Sequence, residues 1–126
     1  NNSQNLFLGI FVKENQSYIG NIRLHNINFV SRRGDIGILI GDSNIHGKGY
    51  GLEAIQLIVD YAFQYLNLNK VCAGANIENP ASIRIFEKAG FVVEGTLRQQ
   101  FYVDGRYTDC VQMGLLKSEY NNISNH

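Results

Sequence analysis

Three glycines lie within five residues of one another in the middle of the chain, in a segment that could cradle an anion. Glycine allows tight turns and lets backbone N–H groups approach a ligand closely. A helix that follows adds unpaired N–H groups and the positive end of its dipole. The segment therefore predicts a site for a phosphate or pyrophosphate. Its residues are His46, Gly47, Lys48, Gly49, Tyr50 and Gly51.

An amphipathic helix is predicted for the next residues, 52–66, because apolar side chains recur there at helical spacing. The apolar stripe consists of Ile55, Ile58, Val59, Ala62, Phe63 and Leu66. The polar side chains predicted to point largely away from it are Glu53, Gln56, Asp60 and Gln64. The pattern places the start of the helix at the glycines, where its N–H groups can face a ligand.

Two familiar phosphate-binding loops fit this segment less well. A Walker A loop requires Ser or Thr after its Gly-Lys pair, and here Gly49 follows instead. A Rossmann fingerprint is matched nominally by Gly49, Gly51 and Ala54, but its turn should follow a strand directly. Here residues 42–48 intervene, and Asn69 stands where an acidic ribose ligand is expected.

A second segment, residues 79–91, has the signals of a short capped helix. Asn79 is a good N-cap, and Pro80 occupies the first helical position, where its missing N–H costs nothing. Gly90 suits the left-handed position that ends a helix.

Together these segments resemble the GNAT superfamily of N-acetyltransferases. The first is similar to the family's acetyl-coenzyme A pyrophosphate loop, Q/R-x-x-G-x-G/A, with His46 in place of Gln or Arg. Residues 79–91 resemble the downstream motif, in which an Asn caps the helix along the pantetheine arm. The closing segment, residues 91–109, resembles the branch that acetylates ribosomal-protein N-termini, polyamines and amino sugars of nucleotide sugars.

The resemblance implies that acetyl-coenzyme A is the co-substrate and indicates which residues bind it. Those residues are Leu39, Ile40, Gly41, His46, Gly47, Lys48, Gly49, Tyr50, Gly51, Asn76, Asn79, Ser82, Phe86 and Lys88. In the family, backbone N–H groups at a bulge polarise the thioester carbonyl, and that bulge corresponds to residues 39–41.

A base is useful for the reaction because an amine with a pKa of about 10.4 is protonated at neutral pH. Asp35 matches the acidic position that some GNAT enzymes use, often through water; a solvated carboxylate at the start of a strand is the equally weighted alternative. Phe86 stands where many members have a Tyr that protonates the leaving thiolate. Tyr102 or Tyr107 would be substitutes, although strand tyrosines more often serve packing.

The fold class predicted is α/β, a mixed and largely antiparallel sheet with flanking helices, as in GNAT domains. Strands are expected at residues 6–12, 18–27, 35–40, 70–76, 91–98 and 107–116, of which the first three form an antiparallel meander. The turn Asp104-Gly105 joins the last two. Residues 1–126 are one domain, without the strand and helices that usually precede the meander. The chain is then a fragment, or a partner supplies that wall, or the wall is absent.

Composition limits the partners. Lys+Arg and Asp+Glu both number 11, so no polybasic surface favours nucleic acid. No apolar run reaches membrane-spanning length, and a cytoplasmic location is expected. Cys72 and Cys110 are predicted to pack as small hydrophobes, and the spacing of His25 and His46 predicts no metal site.

Two functions follow as hypotheses. The first is an N-acetyltransferase that acts on a primary amine of a small molecule or protein N-terminus. The second is a catalytically weak coenzyme A binding or regulatory module, suggested by Phe86 and by the absent front of the domain. A homodimer is compatible with both.

Overall fold

The computed structural model describes residues 3–12, 17–40 and 49–124, which form one six-stranded sheet and three helices. In chain order the elements are β1 (Ser3–Val12), β2 (Ser17–Asn28), β3 (Arg33–Ile40), α1 (Tyr50–Gln64), β4 (Lys70–Asn76), α2 (Pro80–Lys88), β5 (Val92–Val103), β6 (Arg106–Leu116) and α3 (Lys117–Ser124). None of these helices combines the length and apolar character needed to cross a bilayer.

The sheet has the strand order β1-β2-β3-β4-β6-β5. Its pairs are antiparallel except for β3 and β4, which run parallel and are joined by the crossover through α1. The predicted mixed and largely antiparallel sheet is therefore confirmed, and so is the meander of β1, β2 and β3. A parallel pair requires a long crossover, which explains why the amphipathic run lies between these two strands.

One face of the sheet carries the hydrophobic core, and all three helices contribute to it. The sheet residues of this cluster include Leu24, Ile36, Val71 and Met113, which are each at most 3% exposed. The helices supply Ile55 from α1, Phe86 from α2 and Tyr120 from α3. Since α1, α2 and α3 all join one buried cluster, they cover the same side of the sheet.

The predicted stripe of α1 is buried as expected, except that Leu66 lies just beyond the helix and is half-buried. The helix begins at Tyr50, two residues earlier than the apolar pattern suggested. Two of its polar residues do not simply face solvent. Tyr120 donates a hydrogen bond to Asp60 Oδ1 at 2.5 Å, and Gln64 Nε2 donates to Tyr120 Oη at 2.7 Å.

The opposite side of the sheet, called the open face here, is not covered by any helix that the structure describes. It is defined by the residues that alternate with the buried ones on the central strands: Arg23, His25, Asp35, Gly37 and Cys72. Side chains alternate between the two faces of a strand, so burial of one set places the other set outward.

The helix and turn signals are confirmed in detail. Gly90 has φ +103° after α2, and the N–H of Phe91 donates to the carbonyl of Phe86 at 3.0 Å, closing the helix. Asp104 and Gly105 have φ +53° and +79° in the two-residue turn between β5 and β6. Both central residues of a type I′ hairpin turn require positive φ, which explains the Asp-Gly pair.

Helix α3 and the full length of β5 were not predicted. β5 continues to Val103, beyond its predicted end at residue 98. Its register with β6 shifts between Leu97 and Phe101, and this shift interrupts the alternating pattern from which a strand is predicted. The α3 segment has weak helical periodicity. It is held by tertiary contacts, chiefly the ring of Tyr120, whose centroid lies 4.9 Å from that of Phe63.

We expect Tyr120→Phe to lose about 1 kcal/mol of unfolding free energy, because the hydrogen bonds to Asp60 and Gln64 disappear. Burial, and next the Asp60 hydrogen bond, raise the pKa of Tyr120 above its ordinary value. A group whose pKa is raised by folding stabilises the folded protein at pH values below its unfolded-state pKa. That stability is lost as the pH rises through the folded-state pKa.

Denaturant unfolding between pH 7 and pH 11 measures this effect. Wild type should lose stability above about pH 10 relative to Tyr120→Phe. Tyr65→Phe, at a side chain 77% exposed, is the matched control and should change nothing. Equal stability of all three proteins across this pH range would contradict the assignment.

Candidate functional site

The parallel strands β3 and β4 pair over only part of their length. Their register joins residues 33–36 of β3 to residues 70–73 of β4. β3 nevertheless continues to Ile40, and β4 continues to Asn76. Beyond Ile36 the two strands have no register with each other, so a gap opens towards their C-terminal ends. Ligands of α/β sheets commonly bind outside these carboxyl ends.

Helices α1 and α2 both begin at the open end of this gap. α1 leads back to the start of β4, so it runs opposite to the parallel strands and its N-terminus lies at their carboxyl end. α2 begins at Pro80, shortly after β4 ends at Asn76. Two helix N-termini with positive dipole ends therefore meet at the mouth of the gap.

Gly49 is the N-cap of α1 and the part of the predicted loop nearest the helix that the structure describes. It has φ +85°, a conformation that favours glycine, and a Cβ added there would meet nothing within 4 Å. Its carbonyl accepts the first helical hydrogen bond, from Glu53 N at 3.0 Å. No side chain caps α1. Among the described residues nothing therefore occupies the first-turn N–H groups, and such groups can bind an anion.

Asn79 caps α2 as predicted. Its Oδ1 accepts a hydrogen bond from Ser82 N at 3.2 Å, and Pro80 follows it at the start of the helix. The side chain of Asn79 is exposed at the mouth of the gap, so its amide nitrogen is available to a ligand. Ser82 contributes through its backbone N–H in this cap.

The short connection between β4 and α2 is held on several sides. Ile77 N donates to the carbonyl of Asp109 at 2.9 Å, and Glu78 N donates to Asn76 Oδ1 at 2.9 Å. The carboxylate of Glu78 also accepts hydrogen bonds from both terminal nitrogens of Arg106, which lies in the β5–β6 hairpin. A two-pronged guanidinium–carboxylate pair constrains geometry more than a single contact does. The hairpin therefore holds the segment that leads into the cap.

Asp35 lies on the open face at the closed end of the gap. In the register of the sheet it stands between His25 on β2 and Cys72 on β4. Its Oδ2 accepts a hydrogen bond from Asn26 Nδ2 at 3.1 Å, and Asn26 has φ +52° where β2 is irregular. The half-buried carboxylate is thus oriented by a neighbouring strand, and it is near the point where β3 and β4 separate.

The two groups beside Asp35 favour their neutral forms. Burial lowers the pKa of His25, and the nearby Arg23 lowers it further, while Asp35 acts in the opposite direction. Burial is also the main cause that raises the pKa of the Cys72 thiol. A protonated thiol is a poor nucleophile, which agrees with the packing role expected of Cys72. Cys110 is buried, as expected.

Arg23 extends from β2 across β3 on the open face. A Cβ at Gly37 would come within 2.8 Å of Arg23 Nε, so the Arg23 side chain occupies the space that this glycine leaves free. Arg23 and Gly37 are register partners, and Gly37 is the first residue of β3 beyond its pairing with β4. The guanidinium is therefore directed towards the gap.

The structure differs in part from the predicted bulge at residues 39–41, whose backbone N–H groups were expected to polarise the thioester carbonyl. Leu39 is 68% exposed at the edge of the gap, and Ile40 ends the strand. The expected bulge is absent from the described part of β3, whose register with β2 runs without a shift from Asp35 to Ile40. Alternate backbone groups on the gap side instead lack a strand partner, because β4 has moved away.

Two predicted cofactor residues on α2 lie away from the mouth of the gap. Phe86 is 2% exposed, and its ring packs edge-on against Phe91 with centroids 5.1 Å apart, so the structure shows a core residue there. Lys88 is exposed in the last turn, about 13 Å along the helix from Asn79. Its place fits a charge that complements the helix dipole. Contact of either with the cofactor stays a prediction.

Neither substitute for a general acid reaches Asp35. Tyr102 and Tyr107 contact each other edge-on in the hairpin, with ring centroids 5.0 Å apart. Asp35 is the register partner of Cys72, and Cys72 is the register partner of Gly114 on β6. Tyr107 lies about 23 Å from Gly114 along β6, and is therefore far from Asp35. Four further predicted residues lie outside the described part of the chain: Gly41, His46, Gly47 and Lys48.

A cavity of about 620 Å³ lies elsewhere, at the irregular part of β5. Its lining consists of Leu97, Arg98, Gln99, Gln100 and Asp109. None of the predicted site residues lines it. The geometry of the gap, the two helix N-termini and Asp35 therefore defines the candidate site.

Sequence reasoning missed two features of this site. The placement of Arg23 over Gly37 and the pairing of Arg106 with Glu78 both join segments that are distant along the chain. The isolated Gly37 within a strand was the only local signal, because a strand glycine often marks close approach by another group.

Comparison with known proteins agrees with this geometry. Residues 1–92 match the family described as Acetyltransferase (GNAT) domain. The spermidine N(1)-acetyltransferase of Vibrio cholerae is 37% identical over 109 residues, which cover 86% of this chain and 62% of that protein. The spermidine N(1)-acetyltransferase of Escherichia coli K12 is 37% identical over 101 residues, covering 80% of this chain and 54% of the relative. The chain thus spans little more than half to three fifths of these relatives.

Solved structures share the fold. A crystal structure of the Vibrio cholerae spermidine/spermine N-acetyltransferase in complex with manganese ions has a TM-score of 0.85 and 33% identity, covering 95% of this chain and 69% of that one. The Vibrio cholerae spermidine N-acetyltransferase in complex with CoA and spermine has a TM-score of 0.78 and 36% identity, covering 85% and 63% of the two chains. With the family match extending over most of its length, the chain belongs to the GNAT acetyltransferase domain family.

Proposed function

We propose that this chain is an N-acetyltransferase that moves an acetyl group from acetyl-coenzyme A to a primary amine of a small molecule or peptide N-terminus. The observation that carries the proposal is the gap between β3 and β4, with two helix N-termini at its mouth and a carboxylate at its closed end. Membership of the GNAT family and a relative solved with CoA support the same cofactor.

The cofactor enters at the mouth of the gap. Its pyrophosphate lies against the N–H groups that begin at Gly49 and continue into α1, together with the predicted loop residues His46, Gly47 and Lys48. Its pantetheine arm lies in the gap and pairs with unpartnered backbone groups of β3, beside the amide of Asn79. In this proposal the thioester lies near the point where the strands separate.

The acceptor amine approaches from the open face, because the three helices cover the other side. Its nitrogen attacks the thioester carbonyl carbon, the C–S bond breaks, and the amine proton passes to Asp35 directly or through water. The carbonyl oxygen develops negative charge that backbone N–H groups at the edge of β3 can stabilise. Coenzyme A leaves as a thiolate with a conjugate-acid pKa of about 8.5, so it can depart without a dedicated acid.

A catalytically weak coenzyme A binding module is the second candidate, because Phe86 is buried and cannot donate a proton. Release of free thiol with any amine discriminates the two functions. Spermidine is named for two relatives and is therefore one amine to assay. The cytoplasmic location and the homodimer stay predictions.

Gly49→Val should weaken acetyl-coenzyme A binding by about tenfold or more in isothermal titration calorimetry. A branched side chain at φ +85° strains the loop, and its Cβ projects into the space left for the pyrophosphate. Gly105→Val is the matched control, since Gly105 has φ +79° and equally open surroundings in the hairpin turn. The same affinity in wild type and Gly49→Val would remove the anion site from this loop.

Asn79→Ala should lose about 1 kcal/mol of stability and also bind acetyl-coenzyme A more weakly, because one side chain caps α2 and faces the pantetheine arm. Asn28→Ala serves as control. Asn28 Oδ1 accepts from Val30 N and Ser31 N, both at 2.9 Å, in a turn away from the gap. If both variants lose only stability, the cofactor contact of Asn79 is wrong.

Asp35→Asn should lower kcat by about 10² or more at saturating cofactor, with little change in acetyl-coenzyme A binding, and should shift the acidic limb of the pH–rate profile. Glu94→Gln is the control, because Glu94 is the open-face carboxylate already paired with Lys70 at 2.9 Å. A loss below about tenfold would indicate a water relay without a dedicated side chain. An unchanged rate would exclude Asp35 from the mechanism.

A further inference from the structure

The charges around Asp35 on the open face are unlike those of a site for a polycation. Three cationic side chains, Arg23, Arg33 and Lys70, lie near two carboxylates, Asp35 and Glu94. Arg23 and Asp35 are close enough to act electrostatically on His25. Cys72 is influenced by Lys70, Asp35, Glu94 and Arg33. A second ammonium group of a polyamine would meet mainly like charge here. Like charges placed across a binding site disfavour the wrong partner.

One of the two carboxylates is already in an ion pair, and the other is held by a neutral amide. Lys70 Nζ lies 2.9 Å from Glu94 Oε1, and Asp35 accepts the hydrogen bond from Asn26. Arg23 and Arg33, in contrast, make no ion pair within the described part of the chain. Among the described residues, this part of the open face therefore carries one more positive than negative charge, and Arg23 and Arg33 are its cations without an ion-pair partner.

Arg23 is the cation best placed to act on an acceptor. It lies over Gly37, and its register partner on the other side is Phe7, which is 64% exposed and carries no charge. On the same face, Arg23 and Asp35 are diagonal neighbours on adjacent strands, a relation that separates residues by about 7–8 Å. An acceptor amine at Asp35 would thus have a guanidinium within reach of a group a few bonds away.

We propose that Arg23 is a specificity-determining residue that binds an anionic group, a carboxylate or phosphate, on the acceptor, so that this chain prefers anionic amines to polyamines. This inference rests on the proposed acetyl transfer, since Asp35 receives the amine. The planar guanidinium suits both carboxylate and phosphate, because it can donate two parallel hydrogen bonds to either. Lys70 is neutralised by Glu94 and contributes less.

Matched pairs of amines test this directly. Putrescine and 4-aminobutyrate have the same carbon chain and differ in whether the distal group is an ammonium or a carboxylate. Glucosamine and glucosamine 6-phosphate differ in one phosphate. For each pair, kcat/KM is measured at saturating acetyl-coenzyme A by free-thiol release, and binding of the amines in the presence of coenzyme A is measured by calorimetry.

Wild type should favour the anionic member of each pair by about tenfold or more, allowing for solvent screening at an exposed site. Arg23→Glu should reverse the preference between putrescine and 4-aminobutyrate, while Arg23→Ala should reduce it towards unity. Arg23→Lys should retain most of it, because the charge remains. Arg98→Glu, the same charge change at an exposed arginine of β5, should leave the ratio unchanged.

The results separate this inference from the function on which it rests. The role of Arg23 is overturned if wild type acetylates putrescine in preference to 4-aminobutyrate. It is also overturned if Arg23→Glu has the same ratio of kcat/KM for these two amines as wild type. Either result leaves the proposed N-acetyltransferase function intact. If wild type releases no thiol with any of the four amines or with spermidine, the proposed function fails and the inference fails with it. Melting temperatures of the variants exclude loss of the fold as the cause.

Discussion

The separation of β3 from β4 is the structural constraint on which the candidate site depends. Parallel strands normally continue to pair until one of them ends, because each unpaired backbone group near the interior loses a hydrogen bond. Here pairing stops after Ile36 and Ala73, although both strands continue. The unpaired edges can be satisfied by a ligand whose amides resemble a strand, as the pantetheine arm does. A continuous ladder would close the site.

The elements around the gap preserve this opening from both sides. α1 fills the core side with Ile55, Ile58 and Phe63, so the gap cannot close by collapse of the sheet onto an empty face. On the far side, β4 is paired along its full length with β6, from Lys70 to Asn76. β3 is likewise paired with β2 up to Ile40. Each strand of the gap is thus held by its outer neighbour.

Polar side chains then differentiate the two faces. The core face has no charge among its central strand residues, and the open face concentrates Arg23, Asp35 and the Lys70–Glu94 pair in neighbouring rows. Among the described residues of the central strands, the proton acceptor and the charged side chains near the gap therefore lie on the second face. In the proposed function, backbone groups at helix ends bind the cofactor's phosphates, so cofactor binding and acceptor choice would use different parts of the structure.

Local signals in the sequence determined the elements and the cofactor motif. The α1 stripe, the Asn79 cap with Pro80, and the Asp104-Gly105 turn each depend on residues within one or two turns of chain, so they could be recognised without a fold. The limits of β5 and the presence of α3 could not. A register shift opposite Asp109 and packing of Tyr120 on Phe63 depend on residues that are distant along the chain.

Only the tertiary structure decided how the functional groups meet. The premature end of β3–β4 pairing, the Asn26 contact to Asp35 and the approach of Arg23 over Gly37 all join separate strands. The packing of Phe86 against Phe91 in the core was likewise not evident from its motif position, and its contact with the cofactor stays a prediction. Sequence therefore determined which chemistry the loop and cap can support, since that chemistry is local. The fold determined where charges lie around Asp35, since strand pairing brings together residues that are distant along the chain.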